Sequence, residues 1–156
     1  MQTSNIEHRT SKIEVELPVQ VEKRYDLEER LLDYAARIIR LVETLPKTRA
    51  GNHIAGQLLR SGTSPLPNHG EAQAAESPDD FVHKLKVCLK ELRESYRWLL
   101  LIQRAALIRP ESRVIPLVEE TEELIRIFVA SIRTSESKRS RRAPYVSVAA
   151  QDARLE

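Results

Sequence analysis

The sequence predicts an all-α protein: an antiparallel up-down-up-down four-helix bundle with flexible N- and C-terminal arms. Three observations predict it. Apolar residues recur at three- and four-residue spacing through four long segments. Glycine is scarce, four in 156 residues, and all four fall between Gly51 and Gly70. The apolar material is aliphatic, with 41% of residues hydrophobic and only 4% aromatic, which suits a bundle core. The length fits one domain plus tails.

Residues 1–24 read as an arm. The alternating piece Ile13-Glu14-Val15-Glu16-Leu17 has strand character, but a helical protein offers it no partner strand. The arm is therefore flexible or ordered on contact. The domain proper spans residues 25–134. Its first helix runs from Asp26 to Leu45, with Asp26 as N-cap and Glu29 three residues on. Leu27, Leu31, Tyr34, Ile38, Leu41, Val42 and Leu45 form its core face. Leu32, Ala35, Ala36 and Ile39 form a second strip that is either more core or a contact with another subunit. Pro46 stops the helix.

The second helix starts near Arg49 and meets Ser61-Gly62-Thr63-Ser64-Pro65-Leu66-Pro67. Two prolines there should interrupt it, and Ser64, ahead of Pro65, should leave helical geometry. Ser64 and Asn68 are placed to satisfy the backbone groups that the break frees. Helix resumes weakly through Glu76. The third helix has a sharp start, with Ser77 as N-cap, Pro78 at the first position and Asp79 and Asp80 in the first turn. It runs to Ile108 with Phe81, Leu85, Cys88, Leu92, Tyr96, Leu99 and Gln103 inward. The fourth runs from Pro110 to Thr134, burying Val114, Leu117, Val118, Thr121, Leu124, Ile125, Phe128 and Ile132. Residues 135–156 carry the basic cluster Lys138-Arg139-Ser140-Arg141-Arg142 and read as a disordered tail.

Net charge is only +2, so the whole chain is no polycation, but the charge is unevenly spread. Residues 81–109 hold seven Lys/Arg against two Asp/Glu, or +5, while residues 65–80 hold none against four, or −4. A single cysteine, Cys88, forbids an intrachain disulfide and suits a reducing, cytoplasmic setting. The N-terminus shows no apolar run of signal-peptide length, and the longest apolar run, Trp98 to Ile102, is too short for a bilayer.

Catalytic chemistry is sought and not found. His69-Gly70-Glu71 matches the His-x-Glu of zinc deaminases, but the paired cysteines that would complete the site are absent. The four histidines show no metal-ligand spacing, and no phosphate loop or nucleophile elbow exists. Cys88 falls on a core face and reads as a small buried hydrophobe. Glu71 reads as an ion-pair partner for Arg60 across the break. No catalytic residue, metal or cofactor is expected.

The pattern Gln57…Arg60…Ser64…Pro-x-Asn68-x-x-Glu71, followed by Phe81 and the run Leu89-Lys90-Glu91-Leu92-Arg93-Glu94, resembles the four helix bundle protein family. That family includes proteins encoded within intervening sequences of bacterial 23S rRNA genes and, more distantly, the accessory variability proteins of diversity-generating retroelements. The resemblance covers about residues 26–134. It implies a barrel-like homopentamer without enzyme activity, and through the retroelement relatives it implies contact with nucleic acid and with a reverse transcriptase. Pro65 and His69 depart from the pattern, which more often has an aliphatic residue there. Arg60, Ser64, Pro65, Asn68 and Glu71 are then a structural motif around the break.

Functional content concentrates on the third helix. Lys86, Lys90, Arg93, Arg97 and Arg104 step by 4, 3, 4 and 7, which places them within an arc of roughly 60° and along about 27 Å. They point away from the core face. Such a stripe can follow the phosphate backbone of RNA or DNA. The competing expectation is a face paired with acids of neighbouring helices, which would make the protein a self-assembling scaffold for a partner protein.

Overall fold

The computed structural model describes residues 26–142, so the N-terminal arm of residues 1–24 and residues 143–156 of the tail lie outside the described part. The chain forms α1 (Leu27–Val42), α2 (Arg49–Thr63), α3 (Pro65–Gln73), α4 (Pro78–Arg104) and α5 (Ile115–Arg142), with a short 3-10 turn over Glu111–Arg113. The α2 and α3 segments together make the second member of the bundle, so four helical members pack against one another. Cross-helix pairs give the directions. Tyr34 meets Thr121, and further along α1 Leu41 lines one groove with Leu117, so α1 and α5 are antiparallel. Lys86 meets Glu136 and Tyr96 meets Glu122, so α4 and α5 are antiparallel too.

Local signals set most of the ends. The Asp26 carboxylate accepts from the Glu28 and Glu29 amides and starts α1. Thr48 caps α2 and Ser77 caps α4 in the same way. At the end of α4, the Ala106 amide donates to Gln103 and the Leu107 amide to Ile102. This is a Schellman closure with Ala106 at φ 49°, where glycine is usual. The third helix therefore stops at Arg104, short of the expected Ile108.

The core comprises Leu31, Tyr34 and Ile38 of α1, Leu58 of α2, Leu92, Leu99 and Ile102 of α4, and Leu124 and Phe128 of α5. On α4 the expected face is rotated. Leu85, Cys88, Leu92 and Leu99 are buried, but Phe81, Tyr96 and Gln103 are half-buried, while Val82, Leu89 and Ile102 go inside. That helix packs against α2, α3 and α5 at once, and serving three neighbours widens its apolar face. Helices α1 and α2 approach so closely that a Cβ on Gly62 would stand 2.8 Å from Ile38 Cγ2, closer than packed carbons come.

The last helix corrects the sequence reading most. It continues through residues 135–142 to Arg142 rather than ending at Thr134. Polar and basic composition suggested a tail, but α4 supplies partners along the extension. Glu136 pairs with Lys86 at 2.7 Å and Arg139 with Asp79 at 2.6 Å.

The break in the second member is shorter than expected. Ser64 keeps helical geometry at φ −60° and ψ −35° although Pro65 follows. Pro65 and Pro67 stand at the first and third positions of α3, where amides lack intrahelical acceptors in any case. The carbonyls that lose helical donors are those of Ser61 and Thr63. Asn68 Nδ2 bridges the junction, donating to the Ser64 carbonyl at 2.9 Å and to Ser64 Oγ at 3.0 Å. Pro65 is fully buried, and its carbonyl accepts from Cys88 Sγ at 3.5 Å. That packing onto α4 offsets the steric cost at Ser64.

Two members of the motif have other partners than expected. Glu71 pairs with Lys84 at 2.5 Å, not with Arg60. Arg60 instead donates to Glu91 at 3.1 Å and to Glu94 on α4. His69 is 7% exposed, edge-on to Phe128, and its Nδ1 has no partner among the described residues.

Two outcomes follow from the break. Asn68→Ala removes two hydrogen bonds at the junction and should cost about 1 kcal/mol, as loss of a cap does; chemical denaturation measures it, and ligand binding stays unchanged. Burial lowers the pKa of His69, against the opposing pull of Glu28 and Asp26. The unfolded chain therefore takes up this proton first, and stability falls as pH drops below the ordinary histidine value of about 6.5. Melting temperature followed from pH 7.5 to 5 should decline, and His69→Leu should flatten part of that decline.

Candidate functional site

The stripe expected on the third helix lies on α4, and Lys86, Lys90, Arg93, Arg97 and Arg104 are all exposed. Helix geometry brings them to one face because α4 runs unbroken from Pro78 to Arg104. Their surroundings decide what that face can do. Two acids of α4, Glu91 and Glu94, are close enough in sequence to neutralise it. Both are taken by Arg60, whose guanidinium reaches across from α2. Glu94 also accepts from Trp98 Nε1 at 3.3 Å, and the Arg60 guanidinium holds its carboxyl below the usual carboxylate range.

Of the five cations, Lys86 is paired, with Glu136. Among the described residues, Lys90, Arg93, Arg97 and Arg104 make no ion pair. The Arg97 guanidinium donates to the Arg93 carbonyl at 3.0 Å, which lays it along the helix surface. Arg104 shares an open hollow with Leu100, Leu101 and Glu111. The face is thus a line of positive charge whose neighbouring acids on the same helix, Glu91 and Glu94, are held by Arg60, with Glu111 beside Arg104 at its end. Such a line attracts polyanions and releases their counterions, without donors aimed at base edges.

The apolar strips on α1 and α4 are exposed in part. Leu32 is 50% and Ile39 47% exposed on α1, with Ala36 half-buried between them, whereas Ala35 of the same strip is buried. On α4, Leu101 and Ala105 are exposed. Trp98 is half-buried, its ring edge-on to His53 at 6.0 Å between centroids. Sequence reading missed Leu59, Leu100 and Ile115, which add exposed apolar surface.

Other candidates resolve as structure. The Cys88 thiol is fully buried, and burial pushes its pKa up to about 12, so it stays protonated and unreactive at neutral pH. Among the described residues no group of three His, Cys, Asp or Glu is arranged to hold a metal. No described helix is long and apolar enough to cross a membrane.

A family model for the 23S rRNA-intervening sequence protein matches residues 23–130. Among solved structures, a protein of unknown function from the S23 ribosomal protein family of Bacteroides thetaiotaomicron is similar. It is 32% identical, with a TM-score of 0.63, and the match covers 69% of this chain and 98% of that one. No curated protein matches the chain. The matched span takes in the motif around Pro65 and Asn68 and the whole of α4, and the shared fold agrees with it; the chain belongs to the 23S rRNA-intervening sequence protein family.

Proposed function

We propose that this is a non-enzymatic, oligomeric protein that binds RNA or DNA backbones through the α4 stripe. Its setting is an accessory role in an RNA- or reverse-transcriptase-related system in the cytoplasm, with no cofactor. The observation that carries the reading is the division of charge on α4: Arg60 occupies Glu91 and Glu94, and Lys90, Arg93, Arg97 and Arg104 are left without ion pairs among the described residues. Family membership supports the RNA direction. The distant resemblance to accessory variability proteins supports a reverse transcriptase as the protein partner.

Assembly belongs to the same reading. The exposed Leu32 and Ile39 on α1 are large apolar groups of the kind that subunit contacts cover. Five-fold closure is what the resemblance implies, and it would repeat the stripe five times around one particle. A second reading, a scaffold whose stripe meets acids at subunit contacts, draws on the Lys86–Glu136 pair, which already joins a stripe cation to an acid of another helix.

One experiment separates them. In the full-length protein, Arg93→Gln with Arg97→Gln should weaken binding to generic RNA and DNA alike and reduce the salt slope by roughly one unit per lost contact. Folding should hardly change, since exposed charges contribute little to stability. Light scattering should give the wild type a mass above one chain, and the double variant the same mass. Unchanged binding with a lost oligomer would make the stripe an assembly surface. The basic end of α5 is controlled by changing Lys138, Arg141 and Arg142 to Gln, not by truncation at Thr134, which would remove Glu136 and Arg139 from their partners on α4.

A further inference from the structure

At the end of the bundle where α1 finishes and α5 begins, a groove of about 360 Å3 opens to solvent. Three arginines line it: Arg37 and Arg40 from the last turns of α1, and Arg113 from the 3-10 turn before α5. Ser112 adds a hydroxyl, and Leu41 and Leu117, both nearly fully buried, make an apolar floor. No acid lines the groove. Among the described residues none of the three arginines makes an ion pair. Asp33, one turn before Arg37, does not line the groove, and three other nearby acids are engaged or directed elsewhere. Glu43 lies within 4.0 Å of Lys47, Glu120 is held by Arg30 at 2.6 Å, and Glu111 lines the hollow beside Arg104 instead.

Three arginines line one small groove and no carboxylate lines it with them, which concentrates positive charge there. Guanidinium donors in a fixed fork match phosphate oxygens two at a time. The volume is that of a small-ligand site, and the apolar floor suits the sugar or base of a ligand rather than a bare ion. We propose that this groove is a binding site for the phosphate group of a nucleotide, with Arg37, Arg40 and Arg113 as its ligands and Ser112 as a hydroxyl donor. The nucleotide is either free or the phosphorylated end of a strand. The site lies apart from the α4 stripe in sequence and shares no residue with it, so it stands or falls independently of the stripe's function.

The test is calorimetric titration of the full-length protein with inorganic phosphate, adenosine, AMP, and a short RNA oligonucleotide with and without a 5′-phosphate. AMP or the 5′-phosphorylated oligonucleotide should bind saturably, and adenosine should not. Arg37→Gln, Arg40→Gln and Arg113→Gln should each weaken binding about tenfold or more, the loss expected for one charge-assisted hydrogen-bond partner. Circular dichroism should show all three folded, as Arg40 and Arg113 are exposed and Arg37 is only half-buried. Arg93→Gln with Arg97→Gln should leave AMP affinity unchanged. Binding of AMP identifies a free nucleotide as ligand; binding of the phosphorylated strand alone identifies a strand end, and both outcomes support the site. Two results overturn it: no saturable binding of any phosphorylated probe by the wild type, or equal weakening by the stripe variant and the groove variants.

Discussion

Where the four members meet around Tyr34, the bundle buries polar groups that can be satisfied in one register only. The Tyr34 hydroxyl lies 2.9 Å from Thr121, which donates in turn to the Leu117 carbonyl at 2.6 Å. Ser95, which also interacts with Tyr34, bonds Ser61 at 2.9 Å and the Glu91 carbonyl at 2.9 Å. The chain ends at that Glu91 carbonyl, and the carboxylate of the same residue separately accepts from Arg60. Each satisfied bond contributes about 1 kcal/mol, but an orphaned buried partner costs about 1–3 kcal/mol, so sliding any helix by one turn is penalised several times over. Burial pushes the Tyr34 phenol up to about 12, which keeps it a neutral donor across the physiological range. The outward face of α4 inherits this constraint. Arg60 reaches Glu91 and Glu94 because Ser61 and Ser95 fix α2 against α4, and with those acids turned aside the outward face of α4 keeps its charge.

The bundle was legible because its signals are local. Asp26, Thr48 and Ser77 mark helix starts by their side chains, and the three- and four-residue apolar steps mark the faces. The stripe was legible for the same reason, since residues at those spacings share a face wherever the helix sits. What the sequence hid depends on which helices touch. Arg60 stands closer in sequence to Glu71 than to Glu91, and only the packing of α2 on α4 reverses that choice. The extension of α5 was hidden because residues 135–142 carry little apolar material; their partners, Asp79 and Lys86, lie more than 45 residues earlier. Ser64 stayed helical against the local rule because burial of Pro65 against Cys88 outweighs it. The arginine groove had only half a signal, the three-residue step from Arg37 to Arg40, and its third member arrives through topology.

The two surfaces differ in how they treat charge. Along α4 the cations are spread over about 27 Å on a convex helix face, which suits a long polyanion held loosely and without sequence preference. Leu100 and Leu101 lie on α4 beside Arg104, whereas the more exposed Leu32 and Ile39 lie on α1. Burying the α1 pair in an assembly leaves the α4 face open, so oligomerisation and backbone binding are compatible on one protomer.

The central claim, that α4 is the face that meets nucleic acid, is tested most directly by photo-crosslinking a uniformly substituted RNA to the full-length protein and mapping the cross-linked peptides by mass spectrometry. The account predicts cross-links concentrated in the peptides spanning Lys86 to Arg104, lost as salt rises. Cross-links confined to the basic end of α5 near Lys138 and Arg139, with none in α4, would contradict it.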